Sequence, residues 1–224
     1  MFAAHLGGVT GDPWFSSVSL LLHGDGSLAD RSVNNFTVTA YNGATTTTTG
    51  PKYGSGCLIN SAGRFQIDPA SALNLTSDQF TIELWVWANS IGGNYQALVF
   101  QDDLFTSGQA FQLRLSTTGK IEFTYFTTSS RYSYVTLTGT TTISAGSWVH
   151  VAVSWDGSSV RIFLNGALEL SSSCSAMYAN NVITCVAGDQ IGYAPMNGKI
   201  DDVRLTKRAR YLAAFTPPGP SPDA

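Results

Sequence analysis

Carboxylates are the side chains of this chain that could catalyse hydrolysis, and few of them are glutamates. Cleavage of a glycosidic bond needs two carboxyl groups about 5–10 Å apart, and a β-strand directs two side chains to one cleft when they are two residues apart. The chain has three glutamates, Glu83, Glu122 and Glu169, and none has an aspartate two residues later. A pair of aspartates from separate strands is an alternative that no pattern selects. The sequence therefore predicts that the protein is not an enzyme.

Histidine and cysteine offer no catalytic pattern either. His150 lies within an alternating strand sequence, which favours a hydrogen-bonded core histidine over a general base. The three cysteines are Cys57, Cys174 and Cys185. Cys174 and Cys185 flank one predicted loop and could pair in an oxidising compartment, but an odd number argues against a full disulfide framework. We expect three free, mostly buried thiols.

Tyrosine and asparagine side chains in predicted loops are candidates for binding a sugar, because an aromatic ring stacks on the sugar and an amide reads its hydroxyl groups. Loops on a rigid β-scaffold commonly carry binding residues. The candidates are Asn94, Tyr95, Tyr132, Tyr178, Asn180 and Tyr193, with Tyr134, Asn181 and Asn197 nearby. The alternative for each tyrosine is packing or an edge position, which most tyrosines of a β-protein occupy.

Composition restricts the kind of partner. The 224 residues are 43% hydrophobic but only 12% charged, with a net charge of −3. Such a surface suits neutral partners such as glycans, or burial in an assembly, and gives no electrostatic reason to bind nucleic acid or an anionic membrane. No apolar run approaches the roughly 20 residues of a membrane span. The basic cluster Lys207, Arg208 and Arg210 is interpreted as a solvated surface.

Short strands separated by turn residues predict an all-β fold, a sandwich of two antiparallel sheets. Three consecutive strands are predicted at residues 148–155, 160–164 and 167–170, and they are joined by Asp-Gly and Asn-Gly turns. An Asn-Gly turn between apolar runs is the strongest short-range hairpin signal. Residues 80–88 are predicted as a central strand buried on both faces. Further strands are predicted at 18–23, 97–101, 110–116, 120–127, 133–138, 191–193 and 198–205.

Other segments lead to less regular predictions. Residues 57–60 and 64–67 are predicted to form a hairpin, Thr45–Thr49 a loop, and residues 68–75 a helical turn. No linker divides the chain, so one domain is expected at 17–216, followed by an extended Pro-rich tail at 217–224.

Residues 1–16 are Gly-rich and read as an arm outside the core. Its glycines make it costly to order alone, and Phe2, Trp14 and Phe15 offer apolar anchors, so we expect it to contact another subunit. The chain begins with Met and lacks the basic and apolar segments of a signal peptide, so we expect a complete small protein.

Four segments resemble the laminin-G-like, or concanavalin A-like, jelly-roll domains. They are Phe-Thr-Ile-Glu-Leu-Trp-Val at 80–86, Trp-Val-His-Val-Ala-Val at 148–153, Val-Arg-Ile-Phe-Leu-Asn-Gly at 160–166, and Gly-Lys-Ile-Asp-Asp-Val-Arg at 198–204. Their order and spacing match the family over roughly residues 18–205. The resemblance implies a jelly-roll sandwich with a lectin-like role. The Glu-x-Asp-x-x-Glu strand of the family's β-glucanases is absent, since Trp85 stands where Asp would follow Glu83.

A narrower resemblance concerns the ending Ala-Arg-Tyr-Leu-Ala-Ala-Phe-Thr-Pro-Pro at 209–218, which is similar to that of such domains in bacteriophage structural proteins. It implies a virion protein, a tail-fibre tip or capsid decoration, that adheres to host surface glycans. Its partners would be other virion subunits, reached through the arm, and it would be a homo-oligomer. The alternatives are a purely structural assembly module, and a secreted glycan-binding module or glycan hydrolase.

The same family resemblance implies a calcium site. Its sandwich domains often hold Ca²⁺ where an early Asp-x-Ser loop meets the closing strand, which here would recruit Asp30, with Asp25, and Asp201 or Asp202. The alternative has Asp30 forming a turn and Asp201 or Asp202 pairing with Arg204.

Overall fold

The computed structural model describes residues 12–103 and 108–221, and these form two antiparallel sheets packed face to face. The strands are β1 Val18–Leu22, β2 Thr39–Tyr41, β3 Thr45–Thr47, β4 Cys57–Asn60, β5 Arg64–Ile67, β6 Phe80–Ala88, β7 Gln96–Asp103, β8 Gly108–Leu115, β9 Lys120–Phe126, β10 Tyr134–Thr142, β11 Trp148–Trp155, β12 Ser159–Leu164, β13 Ala167–Ser173, β14 Thr184–Val186 and β15 Gly198–Thr206. Short 3₁₀ turns cover Phe15–Ser17, Ser71–Leu73 and Leu75–Ser77. The all-β jelly-roll prediction is confirmed.

Sheet A has eight strands in the order β13-β12-β11-β6-β15-β4-β3, with β1 also paired to β15. Sheet B has seven strands in the order β10-β9-β8-β7-β14-β5-β2. In the described ranges, no helix is long and apolar enough to cross a membrane.

The core lies between the sheets and is built by strand alternation. In β6, Phe80, Ile82 and Leu84 point inward and are fully buried. The alternate residues Glu83 and Trp85 point to the outer face of sheet A, yet they are also buried. Full burial of a large apolar side chain such as Phe80 or Leu84 stabilises the fold by about 1.5–3 kcal/mol relative to an exposed one. The prediction of a central strand with two buried faces is confirmed.

The hairpins from β11 to β13 are confirmed as well. Asn165 and Gly166 both have positive φ, 49° and 78°, as a type I′ turn requires. Gly166 is needed for a second reason, because a Cβ atom there would collide with the carbonyl oxygen of Phe215.

The predicted hairpin at residues 57–67 is wrong. Strand β4 belongs to sheet A, where it pairs with β3 and β15, whereas β5 belongs to sheet B. The intervening turn therefore crosses from one sheet to the other. The Asn60 side chain holds this corner, because its amide accepts from Gly63 N at 2.8 Å and donates to the carbonyl oxygens of Gly63 and Ala187. Alternation alone cannot tell such a corner from a hairpin.

Two further predictions need correction. Thr45–Thr47 is strand β3 rather than part of a loop, because it pairs with β4. Residues 191–193 form a turn, and the strand of this region is Thr184–Val186, which lies between β7 and β5. The predicted helical turn in 68–75 is present as 3₁₀ turns.

The C-terminal segment crosses the outer face of sheet A, and we call residues 207–221 the strap. Tyr211 Oη donates to Glu83 Oε2 at 2.6 Å, and Phe215 N donates to the carbonyl of Gly166 at 2.9 Å. The rings of Tyr211 and Phe215 stack with centroids 3.5 Å apart, and Phe215 packs edge-on against Phe163. The strap covers Glu83 of β6, whereas Trp85 is covered by Lys52 and Tyr53.

The interpretation of the basic cluster as a solvated surface fits Arg208, which is exposed, but is wrong for Arg210. Arg210 forms an ion pair with Glu83, and its side chain is only 14% exposed. The Lys207 ammonium donates to the carbonyl of Ser71 at 2.9 Å. The Arg208 guanidinium lies 3.6 Å from the ring centroid of Trp14. Each cation has a partner because the segment packs along the sheet.

The predicted N-terminal arm lies mostly outside the described residues, which begin at Asp12. Asp12 forms an ion pair with the buried Arg204 of β15, and Trp14 stacks on Arg208. Residues 12–16 therefore pack against the domain, in contrast to the expectation of an arm outside the core. Contact of the arm with another subunit stays a prediction.

All three cysteine thiols are free and buried. Burial raises the pKa of Cys57 to about 11 and that of Cys185 to about 12. Cys174 belongs to the core between the sheets, whereas Cys185 lies in a separate small cluster with Phe100 and Ile183.

Candidate functional site

A polar groove with a volume of about 230 Å³ lies on the outer face of sheet B. Strand alternation creates it. Phe111 and Leu113 of β8 point into the core, so Gln112 and Arg114 point out. The other lining residues are Asp102, Gln109, Thr124, Phe126, Arg131, Tyr134 and Thr136. We call this set the groove.

One side of the groove is a chain of paired polar groups. Arg114 Nε donates to Glu122 Oε2 at 2.9 Å, and Arg114 Nη1 donates to Gln112 Oε1 at 3.2 Å. Gln112 Nε2 in turn donates to Asp102 Oδ2 at 2.5 Å. The guanidinium of Arg114 also stacks on the ring of Tyr95, 4.0 Å from its centroid. These contacts fix both carboxylates and one arginine in place.

The other side of the groove is aromatic and hydroxylic. Tyr134 pairs across the sheet with Phe126, and their rings meet edge to face at 6.0 Å. The hydroxyl groups of Thr124 and Thr136 lie 2.8 Å apart. Tyr134 is 55% exposed. An exposed ring beside hydroxyl and amide groups is an arrangement that can receive a sugar.

Two groove side chains have polar atoms without partners among the described residues. Arg131 is exposed, and no other described residue forms an ion pair or hydrogen bond with its guanidinium. Gln109 is 4% exposed, and nothing in the described ranges donates to its Oε1. A buried acceptor without a donor costs about 1–3 kcal/mol.

Of the tyrosines and asparagines proposed from sequence, Tyr134 lines the groove, and the others lie outside it. Tyr132, 86% exposed, is in the β9–β10 connection next to Arg131. Tyr178 is half-buried, and its backbone N–H donates to the carbonyl of Phe126 at 2.7 Å. Asn180 is half-buried, and Tyr193, 77% exposed, lies between β14 and β15. Their role in ligand binding stays a prediction.

Asn94 and Tyr95 do come together, in a second cleft of about 240 Å³. It also contains Gln96, Pro195 and Asn197. Its amides are largely satisfied internally, because Gln96 donates to Ser90 O at 3.0 Å and accepts from Asn197 N at 2.9 Å. One face of the Tyr95 ring is already covered by Arg114.

Sequence reasoning missed the groove residues other than Tyr134, although a signal was present. Polar residues recur two positions apart on three consecutive strands. The pairs are Gln112 and Arg114 on β8, Glu122 and Thr124 on β9, and Thr136 and Thr138 on β10. Three neighbouring strands with the same polar stripe form one polar face. The sequence candidates were taken from predicted loops, whereas this polar face lies on strands.

The proposed calcium ligands are not brought together. The Asp30 carboxylate is buried and accepts hydrogen bonds from Leu21 N, Ser32 N, Ser32 Oγ and Phe36 N at 2.8–3.0 Å. It is therefore a turn-forming residue, as the alternative proposed. In the described part of the chain, no group of three or more His, Cys, Asp or Glu is placed to hold a metal. These residues do not fit a calcium ion held by Asp30 with Asp201 or Asp202.

Asp201 and Asp202 lie in a small pocket with Asp25 and His23. Asp201 Oδ2 accepts from Lys52 N and Tyr53 N at 2.8 and 3.0 Å. Burial raises the pKa of Asp201 to about 7, although these backbone bonds oppose the shift. Asp202 Oδ1 lies 2.5 Å from His23 Nδ1. Neither aspartate pairs with Arg204, whose partners are Asp12 and Glu83.

His150 is buried on the outer face of sheet A, beneath the strap. Its ring contacts Trp85 and Phe215, and its Nε2 lies 3.6 Å from Glu83 Oε2. Burial lowers its pKa to about 4. The histidine is buried as predicted, but under the strap rather than between the sheets, and its Nδ1 has no hydrogen-bond partner among the described residues.

The two antiparallel sheets form a jelly-roll sandwich, which is a lectin-like fold. A model of the laminin G type, described as the concanavalin A-like lectin/glucanases superfamily, matches residues 60–213. The chain belongs to this family. A comparison with curated proteins finds no match by sequence.

Solved structures share the fold at low sequence identity. The binding domain of Paraclostridial Mosquitocidal Protein 1 superposes with a TM-score of 0.71 at 16% identity, covering 88% of this chain and 50% of that one. Domain 4 of AbnA, an arabinanase from Geobacillus stearothermophilus solved with arabinotriose, gives 0.65 at 17% identity, covering 86% and 93%. The botulinum neurotoxin serotype D binding domain gives 0.65 at 15%, covering 88% and 50%. The chain thus spans about half the length of both toxin domains.

Proposed function

We propose that this protein binds a glycan in the groove of sheet B. The observation that carries the proposal is the pairing of an exposed aromatic ring, Tyr134, with the fixed polar side chains of β8 and β9 in one concave site. Sugar recognition uses such a combination, because the ring stacks on apolar C–H groups and the polar side chains bind hydroxyl groups. Two similar structures, an arabinanase domain with arabinotriose and a botulinum neurotoxin binding domain with SialylT, also have saccharide-related ligands named with them.

The site binds without cleaving. Asp102 is the carboxylate among the groove residues, and Glu122 lies beside the groove on β9, bound to Arg114. Arg114 and Gln112 fill the space between the carboxylates. A glycosidase needs its two carboxyl groups about 5–10 Å apart around one bond.

The biological setting that we propose is a bacteriophage virion, in a tail-fibre tip or capsid decoration that adheres to host surface glycans. The motivation is the ending at 209–218, which here forms much of the strap and packs on sheet A. Other virion subunits, and a second copy of this chain, are the proposed protein partners. Mass spectrometry of purified phage particles that encode the protein tests this setting, and its absence from the particles would contradict it.

Tyr134→Ala is the variant that tests the groove. We expect the wild-type protein to bind members of a bacterial-surface glycan array, and the variant to lose about tenfold or more in affinity, since stacking on the ring is lost. Tyr193→Ala is the matched control, because this tyrosine is also exposed but lies outside the groove. Loss of binding in the control but not in Tyr134→Ala would place the site in the loops and overturn the groove.

Release of reducing ends from the bound glycans is the second readout. We expect none. Release that disappears with Asp102→Asn or Glu122→Gln would show a hydrolase and contradict the proposal.

A further inference from the structure

We propose that the groove selects glycans that carry a carboxylate, and that Arg131 pairs with that carboxylate. This inference rests on the proposed glycan-binding function and adds the chemical class of the ligand. In this proposal Arg131 determines specificity for a carboxylate, while Tyr134, Thr124 and Thr136 contact the sugar ring whether or not it is charged.

The charges within the groove lead to this inference. Its other arginine, Arg114, is bound to Glu122 and Gln112, and Asp102 accepts from Gln112. Arg131 has no such partner in the described ranges, so it is the cation of the groove that a ligand can reach. A guanidinium binds a carboxylate through two parallel N–H···O bonds, which are shorter and stronger than neutral hydrogen bonds.

The position of Arg131 suits a substituent on a stacked sugar. Arg131 and Tyr134 line the same groove, at the end where β9 passes into β10. A sugar ring on Tyr134 would therefore place one edge towards the threonine hydroxyl groups and another towards the guanidinium. Gln109 also lines the groove.

The whole molecule does not attract acidic polymers by itself. Its net charge is −3, and at physiological salt electrostatic forces are screened beyond about 8 Å. Binding of an acidic glycan must therefore depend on the local cation of the groove. This makes the inference testable with a single substitution.

The test uses the full chain, an array of carboxylated bacterial oligosaccharides, and the same oligosaccharides after methyl esterification, which removes the charge and keeps the sugar. We expect esterification, or the variant Arg131→Gln, to weaken binding about tenfold or more, as for other hydrogen bonds to charged groups. Arg131→Lys should restore part of the affinity. Arg31→Gln is the control, because it removes one exposed arginine outside the groove.

The outcomes separate this inference from the proposed function. If esterification leaves binding unchanged while Tyr134→Ala weakens it, the proposed recognition of a carboxylate is wrong and the proposed glycan-binding groove still stands. Equal binding of sulfated oligosaccharides of the same length would overturn the selection for carboxylate. Binding to no glycan of either kind would overturn both. Equal loss in Arg31→Gln would show that net charge, rather than the groove, governs binding.

Discussion

At the scale of single residues, Glu169 shows how one side chain can join the two sheets. It lies on the edge strand β13 of sheet A, and its carboxylate reaches the edge strand β10 of sheet B. Glu169 Oε2 accepts from Thr140 N, Thr141 N and Thr140 Oγ1 at 2.7–2.8 Å, and Oε1 accepts from Thr141 Oγ1 at 2.9 Å. Partial burial alone would raise the pKa of Glu169, but these hydrogen bonds outweigh it and lower the pKa.

Glu169→Gln should therefore lower the free energy of unfolding by about 1 kcal/mol at pH 7, because an amide cannot accept at both ends. A carboxylate with a lowered folded-state pKa stabilises the protein above its unfolded-state pKa, and this contribution fades as pH falls through the folded-state value. The difference between wild type and variant should thus shrink below about pH 4. Urea titrations across pH measure it.

Asp68→Asn is the control for this substitution, since Asp68 is an exposed carboxylate without a hydrogen bond to another described residue. A difference that stays constant from pH 7 to pH 3, or one equally large in the control, would show that Glu169 does not act through its charge.

At the scale of elements, the strap turns the outer face of sheet A into a second, smaller core. Phe215 packs against Phe163 and the His150 ring, while Glu83 receives Tyr211 and Arg210. Arg204, 2% exposed, is among the most deeply buried large side chains as a result. A charged side chain at such a depth requires partners, and Glu83 and Asp12 supply them.

Phe215→Ala should cost about 2 kcal/mol of unfolding free energy, less than the roughly 3–5 kcal/mol of a fully buried phenylalanine, because Phe215 is only half-buried. Leu212→Ala, in the same segment but 58% exposed, should stay within about 0.5 kcal/mol of wild type. Chemical denaturation of both variants measures the difference. Equal effects of the two substitutions would contradict a packed strap.

The elements also show which parts of the fold the sequence predicts. Strands β6 and β11 were predicted to the residue because both of their faces are buried, which leaves a long and nearly continuous apolar run. The groove was not predicted, since it depends on which strands become neighbours. The corner at Asn60 was mistaken for a hairpin for the same reason, because local patterns do not say to which sheet a strand belongs.

At the scale of the whole molecule, the sandwich is held by packing and hydrogen bonds without a covalent cross-link. Its three cysteines are free and buried, and burial keeps the pKa of Cys57 near 11 and that of Cys185 near 12. A thiol reacts through its thiolate, so native protein should react slowly with Ellman's reagent. After unfolding in guanidinium without reductant, three thiols should react. Fewer than three would show a disulfide, and rapid reaction of the native protein would contradict the burial of Cys57 and Cys185.

The sequence predicted the fold class and family of the whole molecule because both depend on many residues in order. It predicted the residues of the groove less well, because a groove depends on a few side chains brought together by pairing of distant strands. Arg131 and Thr136 carry no motif, and they become neighbours of Gln109 only when β10 and β9 pair and β9 joins β8.

Asp12 and Ser221 bind the same side of the sandwich, through Arg204 and Asp202 of β15, and the groove lies on the opposite sheet. A tether joined beyond either residue would leave from the side away from the groove. Anchoring the protein to a sensor chip, a bead or a larger scaffold by either end is therefore expected to leave the groove of sheet B facing the solution.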